Sequence, residues 1–115
     1  MITNEMIEQL LTHIKEDYYK FQLRMYREIS NKEDMYLQIE RFNGSLRYTT
    51  GKNYIKVIRE GSVHSFIVLE DNKQFKQGDI LKAASWNAPA KNKARGNIIT
   101  GDLSNVNWCG TEYLR

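Results

Sequence analysis

From Ile7 to Ile29 the apolar residues Ile7, Leu11, Ile14, Tyr18, Phe21, Met25 and Ile29 recur in steps of four and three. Side chains so spaced share one face of an α-helix, so the start of the chain predicts one long helix, about residues 4–30. Glu5 and Glu8 suit the positive end of its dipole, and Arg24 and Arg27 the negative end. Ser30-Asn31-Lys32 marks the stop, because asparagine takes the left-handed conformation cheaply. Leu10, Tyr19, Leu23 and Tyr26 fall off the main stripe. Either the stripe is wide and lies over a sheet, or a second surface, such as another subunit, covers the remainder.

Beyond the helix the period changes to two. Tyr36–Phe42 alternates, Asn43-Gly44 follows, and Ser45–Thr49 alternates again. Asn-Gly between alternating runs predicts a hairpin, since both central residues of a type I′ turn need positive φ. Asn53–Arg59 and Ser62–Leu69 read as two more antiparallel strands around a break at Glu60-Gly61, and Asp71-Asn72-Lys73 as a closing turn. A short apolar run, Tyr113-Leu114-Arg115, ends the chain as a further strand candidate. The fold expected is α+β: the long N-terminal helix packed on an antiparallel sheet of four to five strands, the β-rich body covering about residues 35–115. At 115 residues, with 41% hydrophobic and 27% charged side chains, the chain suits one domain with one core rather than a disordered segment.

Catalysis makes the most specific demands on residue types, and few are met. His13 sits in the helix pattern and His64 in a strand pattern, so imidazoles and thiolates do not cluster as a metal site requires. A nucleophile–base pair of His64 with Ser62 or Ser65 depends on geometry that spacing does not give. Glu33-Asp34 and Glu70-Asp71 lie in turns beside lysines, as solvated charge does, and no phosphate-binding glycine loop occurs. The reading is no catalytic residue, no metal and no cofactor. One cysteine, Cys109, forms no internal disulfide and is expected as inert packing in a reducing cytoplasm. No apolar run approaches the ~20 residues that span a bilayer, so no membrane role is expected.

Binding is better supported. Between Asp79 and Asp102 the chain carries Lys82, Lys91, Lys93 and Arg95 and no acidic residue, a sharper bias than the overall charge of +3. The same stretch holds Trp86, whose flat face suits a nucleobase, and the amides Asn87, Asn92 and Asn97, which donate and accept at a base edge. Ala83, Ala84, Ala88 and Gly96 leave the backbone approachable. Cation, aromatic and amide together describe a site for an anionic, nucleotide-like ligand. Taken singly, each has an ordinary role as core, solvated surface or turn.

Tyr54-Ile55-Lys56-Val57, Gly61–Phe66 and the long Gly78–Lys91 run with Ala94–Ile98 resemble a family of small phage and prophage proteins, a likeness covering Tyr54 to Arg115. That family is similar to the anti-Thoeris sponge proteins, which sequester cyclic ADP-ribose-type signals made by bacterial TIR-domain defence enzymes. The resemblance implies a homo-oligomer with ligand sites between subunits, acting without turnover in the cytoplasm of an infected bacterial host. Carried over by position, the ligand-binding residues are Lys82, Trp86, Lys91, Arg95, Asn97 and Arg115. Relatives often bear an aromatic where this chain has Gly96. The alternative partner is single-stranded nucleic acid.

Overall fold

Thr3 accepts a hydrogen bond from Met6 N and so starts α1 (Asn4–Met25) in the computed structural model, which describes residues 1–111. The helix stops at Met25, short of Ile29, and both Met25 and Ile29 are exposed. The stripe therefore works only where there is a sheet beneath it: Ile7, Leu11, Ile14 and Tyr18 are buried. Leu10, off the stripe by spacing, is fully buried as well, so the apolar arc is wide because the sheet is.

The second element corrects the sequence reading. Residues Glu33–Ser45 form helix α2, not a strand leading into a hairpin at Asn43-Gly44. Two periods overlap here. Tyr36-Leu37-Gln38-Ile39 mimics alternation, but Met35, Ile39, Phe42 and Leu46 are spaced by four, three and four and are the side chains drawn inward, while Tyr36 and Leu37 stay exposed. Glu33 and Asp34 also favour a helix N-terminus electrostatically. Tyr18 of α1 stacks on Phe42 of α2 with ring centroids 4.0 Å apart, and Trp108 meets both rings edge-on.

Strands β1 (Arg47–Thr50), β2 (Tyr54–Arg59), β3 (Ser62–Val68) and β4 (Ile80–Lys82) make an antiparallel sheet in that order. The two-residue hairpin turn joins β2 to β3 at Glu60-Gly61, where φ is +46° and +80°, the sign a type I′ turn demands. β5 (Val106–Asn107) and β6 (Gly110–Thr111) form a small separate ribbon. It is tied to α1 by His13 Nε2 on Val106 O at 2.8 Å and by Trp108 N donating to Asp17 Oδ2 at 2.8 Å.

The sheet has two apolar faces. Ile55, Val57, Ile67 and Ile80 pack with α1 in the main core. On the opposite face Phe66, Val68 and Leu81 form a second cluster, covered by Phe75, Ala83 and Ala94 rather than by a helix. The 83–96 segment also closes the β4 edge: Ala90 N donates to Lys82 O, Arg95 N to Ile80 O, and Ile80 N to Gly96 O. The expected strand at Tyr113-Leu114-Arg115 lies outside the described residues.

Gly44 distinguishes the two readings of residues 36–44. It is helical, and nothing lies within 4 Å of a Cβ built on it. Gly44→Ala should therefore raise stability by about 0.5–1 kcal/mol in urea unfolding, whereas a hairpin turn would lose stability from the same change.

Candidate functional site

The expected ligand residues do not converge on one place. Asn97 is committed to the fold. Its Nδ2 donates to Gln77 O and Asp79 Oδ1, and its Oδ1 accepts from Ile99 N and Thr100 N. Gly78 beside it has φ +87°, and a Cβ there would press on Asn97 and Ile99 at 2.8–2.9 Å. Arg95 is 4% exposed and its Nη1 donates to Asn92 Oδ1 and Lys93 O, which organises the loop before it. Thus Arg95 and Asn97 act as internal ties, not as a shared ligand face. Gly96 offers no room for an aromatic side chain, because a Cβ there would strike Asp102 O.

Lys82 is on the helix side of the sheet. Register aligns Tyr48, Val57, Ser65 and Lys82 across the four strands, and Lys82 Nζ donates to Thr111 O. Lys91 is exposed on the covering segment, where its carbonyl accepts from Gln74 Nε2. Arg115 lies outside the described residues. Cys109, expected in the packing, is exposed, with its Sγ donating to Asn107 Oδ1.

Trp86 alone among the expected set presents a large open face, at 47% exposure. Ala84 N and Ser85 N both donate to Ala88 O, and Ala83 bridges Pro89, so Ser85–Asn87 forms a tight turn with Trp86 at its tip. The Trp86 ring stands over the sheet, where Lys56 Nζ lies 4.6 Å from its centroid and 5.9 Å from that of Phe66. Thr49, Lys56, Phe66 and Leu81 are consecutive cross-strand neighbours, which puts them on the face away from α1. Beside them opens a cleft of about 330 Å³ lined by Thr49, Thr50, Lys52, Tyr54, Phe66 and Asn87 among others. Two lysines, two aromatic rings, hydroxyls and amides meet there, and its lining includes no carboxylate. Trp86 walls an adjoining hollow with Ser62, Val63 and Ala83–Ser85, and Lys56 links the two.

Sequence reasoning passed over Lys56, Tyr54 and Lys52. The available signal was a charge inside an apolar strand: in Tyr54-Ile55-Lys56-Val57, period two puts Lys56 with Tyr54 on the face opposite Ile55 and Val57.

His64 has a different role. Val57 pairs with Ser65 while Ile58 pairs with Val63, so His64 is the extra residue of a β-bulge. A carbonyl only accepts, so Nε2–H donates to Asn107 O at 2.7 Å; Nδ1 then accepts from Ser65 Oγ at 2.9 Å. This is the contact a nucleophile–base pair would need, yet Ser65 is 0% and His64 2% exposed. Burial, reinforced by the nearby positive charges of Arg59, His13 and Lys82, lowers the imidazole pKa to about 4 against the raising effect of the Asn107 carbonyl.

Helix-backed on one face and open on the other at a lysine–aromatic cleft, the chain is a two-faced antiparallel-sheet protein. It belongs to DUF7717, a family of unknown function whose model matches residues 2–114. No curated protein and no solved structure matches it. Among the described residues, no group of histidine, cysteine or carboxylate side chains is placed to hold a metal, and no helix is long and apolar enough to cross a membrane.

Two measurements check these assignments. Asn97→Ala should lose about 2 kcal/mol or more of stability, a Tm drop of roughly 5–10 °C, because it strands several backbone partners at once. Stability should be full above pH 6.5 and fall by about 3 kcal/mol as pH drops from 6.5 to 4, since the unfolded chain protonates His64 first. His64→Gln should flatten that slope in urea titrations run across the range.

Proposed function

We propose that the protein binds and holds a compact anionic ligand of the nucleotide type at the Lys56–Trp86 cleft, without chemical turnover. The observation that carries this reading is the placement of Lys56 beside the Trp86 and Phe66 rings while it lines a cleft with Lys52, Thr49, Tyr54 and Asn87. Phosphate needs a cation held near, but not inside, an apolar wall. A base needs an exposed ring and an amide or hydroxyl at its edge. Trp86, Asn87 and the threonines supply both.

Resemblance to the anti-Thoeris sponges makes a cyclic ADP-ribose-type signal the first ligand to try, and sequestration the corresponding role. Single-stranded nucleic acid is the second reading, favoured by the exposure of Thr49, Thr50 and Lys52 along the β1 side of the cleft. The two differ in salt response: a strand that neutralises several phosphates loses affinity steeply with salt, and a compact ligand loses little.

Tryptophan fluorescence should change on addition of a cyclic ADP-ribose isomer, and mass spectrometry after denaturation should recover the ligand intact. Lys56→Met and Trp86→Ala should each weaken binding roughly tenfold to a hundredfold, as the loss of a charge-assisted contact or a stacking platform does. Lys73→Ala, in an exposed turn and not among the residues that line the cleft, should bind as the parent does. Normal binding by both cleft variants would remove this assignment. Multiple-turnover cleavage would replace a binding role with an enzymatic one.

A further inference from the structure

Met1 and Trp86 aside, every exposed large hydrophobic side chain among the described residues lies within 19–37: Tyr19, Leu23, Met25, Ile29, Tyr36 and Leu37. This stretch is the distal end of the α1–α2 hairpin. Tyr18 is the last residue of α1 buried in the main core, and the molecule measures 52 × 30 × 25 Å, long enough for the helix pair to extend past the sheet. Beside the buried Met35, amide and phenol groups meet in and across the helix pair here. Gln22 Nε2 donates to Tyr18 Oη and Gln38 Oε1, and Gln38 Nε2 donates to Tyr26 Oη. Gln22 is buried, and its Oε1 has no partner. The tip thus spends polar side chains on part of its seam and leaves six apolar ones outside, more than a helix pair meeting water alone requires.

From the distribution of charge around these residues we infer that the tip is a self-association surface whose occupant is a second copy of the same chain. Near the tip the α1 side bears exposed Lys20, Arg24 and Arg27 against one exposed carboxylate, Glu28, and the α2 side exposed Glu33, Asp34 and Glu40 against one exposed cation, Arg41. None of them is in an ion pair among the described residues, where the one pair found is Arg59–Glu60. Helix dipoles account for Arg24, Glu33 and Asp34 individually, but not for the apolar side chains between them. A partner of a single sign, such as an anionic membrane or a nucleic acid, would meet one half of this border and repel the other. A two-fold related copy sets each basic α1 edge against an acidic α2 edge and covers the apolar residues in the same contact.

Light scattering on the purified full chain at tens of micromolar should give twice the 13.6 kDa chain mass. Leu23→Glu with Leu37→Glu should raise the dimer dissociation constant roughly tenfold or more in analytical ultracentrifugation, with an unchanged circular dichroism spectrum. Reversing the basic block (Arg24→Glu with Arg27→Glu) should weaken the dimer, and reversing the acidic block (Glu33→Lys with Asp34→Lys) should do the same. Combining the two reversals should restore it. A wild-type monomer at these concentrations overturns the inference, as does a dimer indifferent to Leu23 and Leu37. Charge blocks that shift association in opposite directions, or a monomer that co-sediments with anionic lipid vesicles, overturn it in favour of a one-signed partner.

Discussion

Phe66, Val68 and Leu81 put an apolar surface on the side of the sheet that no helix covers, and much of the molecule is arranged to hide it. After β4 the chain has no long periodic segment left for the task, so an irregular one performs it. An irregular cover must satisfy its own backbone groups. Ala90, Arg95 and Gly96 do so along the β4 edge, and the Asn97 side chain does so for the turn that follows. The basic, amide-rich composition of residues 82–97 is thus partly the chemistry of a cover. Arg95 and Asn97 are polar because they replace the hydrogen bonds that a helix or strand would have supplied.

Incomplete cover is what creates the cleft. The segment reaches Leu81 and Phe66 through Ala83 and Ala94 and turns back at Ser85–Asn87. It does not extend over the β1–β2 side, where the outer face carries Thr49, Lys56 and Tyr54 instead of aliphatic residues. Polarity changes along one cross-strand row, from Leu81 and Phe66 under the cover to Lys56 and Thr49 outside it. Trp86 stands near that border.

How much of this the sequence disclosed follows the same division. α1, β2 and β3 were legible because strong periodicity states its own case, whereas the exposure of Trp86 was not, because a large ring in a loop serves a core as readily as a ligand. α2 was misread because Tyr36–Phe42 satisfies period two locally, and the deciding residues, Met35 and Leu46, flank that window. Asn-Gly pointed to a type I′ turn, but a two-residue turn of that sign formed at Glu60-Gly61, where the closing pair Arg59–Ser62 joins two strands that both have a buried face. Asn97 and Arg95 were opaque for a different reason. Residue type shows that a group will make polar contacts, whereas only the fold decides whether Asp79 and Asn92, rather than a ligand, make them.

Lys56 gives the cleft its physical character. Its ammonium rests against the Trp86 and Phe66 rings, a cation–π arrangement worth about 0.5–1 kcal/mol where solvent still reaches it. A phosphate offers a stronger, charge-assisted contact, roughly twice a neutral hydrogen bond. For the proposed ligand the exchange would favour the phosphate, and it would also uncover the Trp86 face for a base to stack on. A neutral ring lacking an anion would have to displace Lys56 with nothing offered in return. An anion lacking a ring would leave Trp86 half-exposed and without its cation. In the proposed binding role only a ligand carrying both groups recovers both contacts, so the resting lysine would discriminate for the combination of charge and aromatic plane over either alone.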